Sequence, residues 1–364
     1  MFKKIAIVGV GLIGGSIGLS LSNKLTDVKI TGIDLDKENL RLALELGAVS
    51  ETTVSLEEGV RAAELVILAA PVAQSVILLE RMLPYLSAGT VITDVGSTKM
   101  EITARAAALL PGDIYFVGGH PMAGSEISGV LGADSHLFEN AYYLLTINED
   151  TDVAALSKVK YMVSLLGART VELAPEEHDQ SVAVISHLPH LVAYTLVNTL
   201  AALPGWESIL PLAAGGFKDT TRIAMSNAVM WRDIFLSNRE KVLQVLADFN
   251  MQLALFKEAV EKSDDKKIMG LIQEAAKVRA AVPAKSKGYF PALYEIVVTI
   301  PDRPGMIADV TGYLGELDIN ISDIEILRVR EGHEGTIRLA FIDEFRQEAA
   351  LRTLQEQGFL VRKR

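Results

Sequence analysis

The first 34 residues constrain this chain more than any other stretch. A β-branched run, KIAIV, leads into Gly9, Gly11 and Gly14 in the spacing G-x-G-x-x-G; a helical pattern follows, and a second run, VKITGID, ends on Asp34, twenty residues after Gly14. That order predicts a strand, a tight turn, a helix and a second parallel strand. Glycine lets the backbone turn sharply and approach a pyrophosphate, whose charge is met by the amides that open the helix. Leu12 and Ile13, between the second and third glycines, and Ala70 and Pro71, which end the apolar run ELVILAAP, are expected as further contacts of a bound dinucleotide. The Asp34 carboxylate can accept hydrogen bonds from a ribose diol and would repel a 2′-phosphate. NAD is therefore expected rather than NADP, with Lys37 the nearby basic residue able to soften the preference. The bland alternative is a glycine turn that only packs strand on helix.

The alternation of short runs and helices continues through TVITDVG, DIYFVGG and AYYLLTI, so a Rossmann-like parallel α/β domain is expected over residues 1–172. Long apolar-periodic segments then predict an all-helical domain over 173–282. The stretch AVPAKSKGYFP predicts a linker, assigned to 283–291, and the pattern over 292–364 reads β-α-β-β-α-β, the ferredoxin-like arrangement. A chain of 364 residues has room for these domains. Its net charge of −11 argues against nucleic acid or anionic lipid as a partner, and the absence of cysteine excludes disulfides and thiol chemistry. The opening lysines and apolar run also resemble a signal peptide, but five glycines interrupt the run and no small-x-small cleavage site follows it. No apolar stretch is long enough to span a bilayer, and a cytoplasmic protein is expected.

Four further motifs carry chemistry. GGHPMAGSEISG, residues 118–129, sets His120 past the carboxyl end of a predicted strand, where open α/β sheets place ligands. Its imidazole can act as a base near neutral pH, or it can simply tie down its own loop. Glu126 in the same motif reads as a pocket gate or as a solvated acid. DVGSTK puts Ser97 on the same rim, either as a partner for the imidazole or as a helix N-cap; Thr98 and Lys99 are weaker candidates. SHLPH places Ser186 and His190 on one helix face and turns His187 away, while Pro189 predicts a kink. His187 reads equally well as a core histidine satisfied by backbone carbonyls. GGFKDTTRIA carries Lys218, Asp219 and Arg222. The guanidinium suits a carboxylate ligand, although an Asp219–Arg222 ion pair would explain both residues without one. No metal is expected, because no third ligand falls at a recognisable spacing.

Taken in this order, with MWRDIF at residues 230–235, these motifs resemble the prephenate dehydrogenase family over essentially the whole chain. The resemblance implies oxidative decarboxylation of prephenate to 4-hydroxyphenylpyruvate with NAD as hydride acceptor. It implies His120 as the base on the ring hydroxyl, Ser97 as its partner and Arg222 as the anchor of the ring carboxylate. Ser186 and His190 would line the pocket with Lys218 and Asp219 near the anchor, Glu126 would gate it, and Trp231 would reach in from a second subunit. The helical region would be the family's dimerisation domain, and the chain a homodimer. The tail from Val297 to Ile326 resembles an ACT domain, for which tyrosine is the expected effector. Asp302, Gly305 and Met306 lie at the start of its first helix and Asn320 on the next strand, as expected effector contacts. The rival functions are arogenate dehydrogenase and a non-catalytic NAD-sensing regulator.

Overall fold

Strands β1 (Lys4–Val8), β2 (Lys29–Ile33), β3 (Glu51–Thr53), β4 (Leu65–Leu68), β5 (Val91–Asp94), β6 (Tyr115–Pro121), β7 (Tyr142–Thr146) and β8 (Arg169–Leu173) form one sheet in the order β3-β2-β1-β4-β5-β6-β7-β8. This is a computed structural model, and it describes residues 2–124, 129–282, 294–301, 303–327 and 334–363. The chain separates into two compact units, 1–287 and 288–364. The linker expected at 283–291 lies outside the described residues.

The inner strands are continuous apolar runs because helices cover both faces of the sheet. Ile5 and Ile7 of β1 pack on one face with Ile17 and Leu21, and Ala6 and Val8 pack on the other with Leu79 and Ile102. The sheet is parallel from β3 through β6, so the carboxyl ends of β1, β2, β4, β5 and β6 share one rim. The expectation of an all-parallel sheet fails at β7, which runs antiparallel to β6. Between them the described residues carry only a short 3-10 turn, Val130–Gly132, and without a crossover helix the chain can only return antiparallel. Two strands lacked a sequence signal: β3 is three polar residues, ETT, and β8, RTVEL, has no buried position.

The rod that follows runs from a helix at Pro175–Val182, through a π-helical turn at Ala183–His187, into a helix at Leu188–Ala201. Pro189 crowds the preceding turn, and the chain answers with this wider turn, in which the Leu188 amide donates to the Ala183 carbonyl. Helices Gly215–Thr221, Ala228–Ser237, Arg239–Glu261 and Asp265–Ala281 complete the region. Many of their apolar side chains are exposed, among them Leu243, Met251, Leu253, Val260, Met269 and Ile272. Among the described residues no helix is long and apolar enough to cross a membrane.

In the second unit β9 (Tyr294–Pro301), β10 (Asp323–Leu327), β11 (Glu334–Phe341) and β12 (Leu360–Lys363) form an antiparallel sheet in the order β10-β11-β9-β12. Ile296, Val298 and Leu339 pack beneath helices Met306–Gly315 and Glu344–Glu356, the ferredoxin-like arrangement read from the sequence. Gly305, at φ +94°, caps the first helix, and Met306 is buried. Asn320 sits exposed in the irregular stretch before β10 rather than on a strand, and Asp302 lies outside the described residues. On the sheet face away from the helices, Arg338 is buried and bonds Glu295, Asp323 and Glu325 from two neighbouring strands.

Candidate active site

The glycine turn at the end of β1 divides its labour by residue. A Cβ on Gly9 would lie 2.6 Å from the Ala69 carbonyl oxygen, and one on Gly14 would lie 2.0 Å from that of Gly9. These two positions are glycine because the strand, turn and helix touch there. A Cβ on Gly11 would meet nothing within 4 Å, which leaves its backbone open at the start of the helix Leu12–Lys24. Beside it lies a groove of about 430 Å³ lined by Gly9, Gly11, Asp34, Leu35, Ala70, Pro71 and Arg81, among others. Leu12 and Ile13 form the first helical turn, both half-buried. The open backbone and the adjacent acid therefore fit a dinucleotide. Asp34 accepts from the Val10 amide at 3.0 Å and the Asn39 side-chain amide at 3.3 Å, so the acid that would meet the ribose also fixes the turn. The basic residue on this groove is Arg81, 3.5 Å from Glu57, and not Lys37. Arg81 comes from a helix nearly fifty residues after Asp34, a neighbour that local sequence cannot reveal.

Further along the rim, β6 presents His120. Its neighbours Gly118 and Gly119 have no room for a side chain: a Cβ would lie 2.3 Å from the Thr146 hydroxyl and 2.6 Å from the Asp94 carbonyl oxygen, respectively. His120 Nδ1 lies 2.9 Å from His178 Nε2, and His178 Nδ1 lies 2.7 Å from Asp179 Oδ1. Asp179 also accepts the Lys99 and Met100 amides at 2.7 and 2.9 Å. It thereby caps the helix Met100–Leu109 from the helical region, the service considered for Ser97. Ser97 itself is half-buried and bonds no other described residue; the neighbour of His120 Nδ1 is His178. Thr98 bonds Ser237 at 3.0 Å. Lys99 is fully buried and paired with Asp94, whose carboxylate also takes the Gly96 and Gly119 amides. Burial, with the nearby charge of Lys99, holds the His120 pKa well below its ordinary 6.5.

From this histidine pair a line of side chains leads to Arg222. His187 is buried, with its Nδ1 3.3 Å from the Asn238 side-chain amide and its ring edge-on to Trp231 at 6.0 Å. It is a core histidine, satisfied by a side chain rather than by backbone carbonyls. Trp231 stacks on His190 with ring centroids 3.5 Å apart. Within this chain Trp231 is buried against His190. His190 Nδ1 bonds the Ser186 backbone carbonyl at 3.0 Å, and burial lowers its pKa, with the nearby Arg222 charge adding to the shift. Arg222, exposed, opens the 3-10 turn Arg222–Met225 that follows helix Gly215–Thr221. Among the described residues no ion pair joins it to Asp219, and Lys218 and Asp219 are both exposed. Glu126 lies outside the described residues. The sequence reading missed His178, Asp179 and Asn238. His178 and Asp179 lie in the mostly polar segment PEEHDQSV, where no apolar period marks them as inward-facing.

The chain matches the family models "Prephenate dehydrogenase, nucleotide-binding domain" over residues 17–172, "Prephenate dehydrogenase, dimerization domain" over 174–274 and "ACT domain" over 294–359. It is 40% identical over 346 residues to a prephenate dehydrogenase of Bacillus subtilis, covering 94% of this chain and 92% of the relative. The chain belongs to the prephenate dehydrogenase family. Among family structures, that of Aquifex aeolicus prephenate dehydrogenase in complex with hydroxyphenyl propionate and NAD+ superposes with a TM-score of 0.73 at 34% identity, over 78% of this chain and 99% of that one. Arogenate dehydrogenase from Synechocystis superposes with a TM-score of 0.69 at 30% identity, over 77% and 100% of the two chains.

Proposed function

We propose that the protein is an NAD-dependent prephenate dehydrogenase that converts prephenate to 4-hydroxyphenylpyruvate and carbon dioxide. The observation that carries this reading is the uncharged, anchored imidazole of His120, on the same sheet rim as the open glycine turn and Asp34. Gly9, Gly11, Gly14 and Asp34 would hold NAD, which supplies the hydride acceptor when bound. His120 takes the proton of the ring hydroxyl on Nε2. The guanidinium of Arg222 receives a carboxylate as a planar fork. His190, kept neutral by burial beside Arg222, offers hydrogen bonds without charge, which favours a keto side chain over the ammonium group of arogenate. The assembly belonging to this reading is a cytoplasmic homodimer, supported by the dimerization-domain match and the exposed apolar helix side chains. Tyrosine is the proposed effector of the ACT unit, through residues that include Gly305, Met306 and Asn320.

NADH formation with prephenate and then with arogenate tests the assignment. Turnover of prephenate is expected, arogenate as the preferred substrate would reassign the enzyme, and NAD binding without either turnover would make it a sensor. His120→Asn should lower kcat by ~10²–10⁴ at unchanged NAD affinity. Replacing Arg222 should chiefly raise KM. Tyrosine added to the full-length enzyme should inhibit, and no response over the concentrations at which it binds would remove it as the effector.

A further inference from the structure

We infer that His178 and Asp179 are positioning residues that fix the tautomer of His120, leaving the lone pair on its Nε2; the inference rests on reading His120 as the base. Asp179 receives the Lys99 and Met100 amides together with His178 Nδ1, the last at 2.7 Å. An ionised carboxylate only accepts, so His178 Nδ1 carries a proton. In a neutral His178 the other nitrogen, Nε2, is then an acceptor, and it lies 2.9 Å from His120 Nδ1. His120 must donate there, and a neutral imidazole that donates through Nδ1 has its lone pair on Nε2. That nitrogen has no hydrogen-bond partner among the described residues.

The reverse polarity requires a doubly protonated His178, donating to His120 and forcing the proton of His120 onto Nε2. It would add a second cation, with no exposure to solvent, near Lys99, whose own counter-charge Asp94 is already engaged by that lysine and two backbone amides. The chain Asp179–His178–His120 thus turns one buried negative charge into a defined proton inventory two hydrogen bonds away. It also explains why the acid comes from the helical region. The same carboxylate that sets the tautomer caps helix Met100–Leu109, so the base is primed only when the rod carrying residues 178 and 179 is docked on the sheet.

Nitrogen-15 NMR of the full-length enzyme labelled at histidine, at about pH 8, reads the tautomers directly, with His120→Asn and His178→Gln spectra giving the assignments. A protonated Nδ1 and bare Nε2 on both His120 and His178 are expected, and a protonated Nε2 on His120 overturns the inference. Kinetics give a second reading. His178→Leu removes the acceptor and should lower kcat by about 10²-fold, with KM for prephenate and NAD affinity within about twofold of wild type, since a wrongly held tautomer can cost as much as ~10⁴. His178→Gln can present a carbonyl oxygen near the position of Nε2 and should recover most of the loss. Wild-type kcat in His178→Leu beside an impaired His120→Asn sinks the positioning role and leaves the base assignment standing. Wild-type kcat in His120→Asn removes the base assignment, and the inference with it. Should His178→Leu fail to fold, the tautomers of the unmodified enzyme decide.

Discussion

Acidification should unfold the first unit partly through His187. Burial pushes this imidazole from 6.5 down to about 4, against the opposing negative charge of Asp179. The unfolded chain takes up a proton near pH 6.5 that the native protein refuses until about pH 4. Stability contributed by the neutral ring is thus complete above 6.5 and is lost as pH falls toward the folded-state value. Each pH unit in that window costs about 1.4 kcal/mol, so going from pH 7 to pH 5 costs about 2 kcal/mol from this one residue. The test compares wild type with His187→Gln, which keeps a polar partner for Asn238 but cannot titrate. Urea unfolding, followed by fluorescence, reports on this region because Trp231 lies 6.0 Å from the His187 ring. His120 is depressed in the same direction, but it is present in both proteins and cancels. Wild type should lose about 2 kcal/mol more than the variant between pH 7 and pH 5. Parallel losses would refute the reasoning, since the buried ring would then not resist its proton.

Two glycines of the turn should respond in opposite ways. Gly14→Ala puts a methyl group against the Gly9 carbonyl and should lower Tm, overpacking of this kind costing ~1–3 kcal/mol, whereas Gly11→Ala should leave Tm unchanged and weaken NAD binding by calorimetry. Equal Tm values for the two variants would contradict the geometry. Lys99→Met strands the buried Asp94 carboxylate and should cost about 3–5 kcal/mol in thermal unfolding. Adding Asp94→Asn to that variant should return part of the loss, and a double variant no more stable than the single would show that the charge is not the cause.

What could be read in advance, and what could not, follows from the range of each signal. The strand at Lys4–Val8, the glycines and Asp34 are local, and their spacing alone gave the first βαβ unit. The ferredoxin-like tail was equally legible, because its core strands alternate apolar and outward residues. His120 was legible as a base candidate from its glycine-rich setting. Its true neighbours were not, since His178 lies 58 residues away and Asp179 holds amides 79 and 80 residues before it. Arg81 at the nucleotide groove escaped for the same reason, and Asn238 is tied to position 179 across 59 residues. Ser97 misled because a serine before a helix is ordinarily its cap, and here the capping acid arrives from another part of the fold.

The π turn at Ala183–His187 has a geometric consequence of its own. A wide turn is an inserted residue, and each residue in a helix advances the side chains by ~100°. The insertion lets two ends of one rod be aimed independently: positions 178 and 179 toward the sheet, position 190 toward the tryptophan and the arginine. Deleting Val184 or Ile185, both exposed, would restore an ordinary pitch and swing one set out of alignment with the other, without altering a single functional side chain.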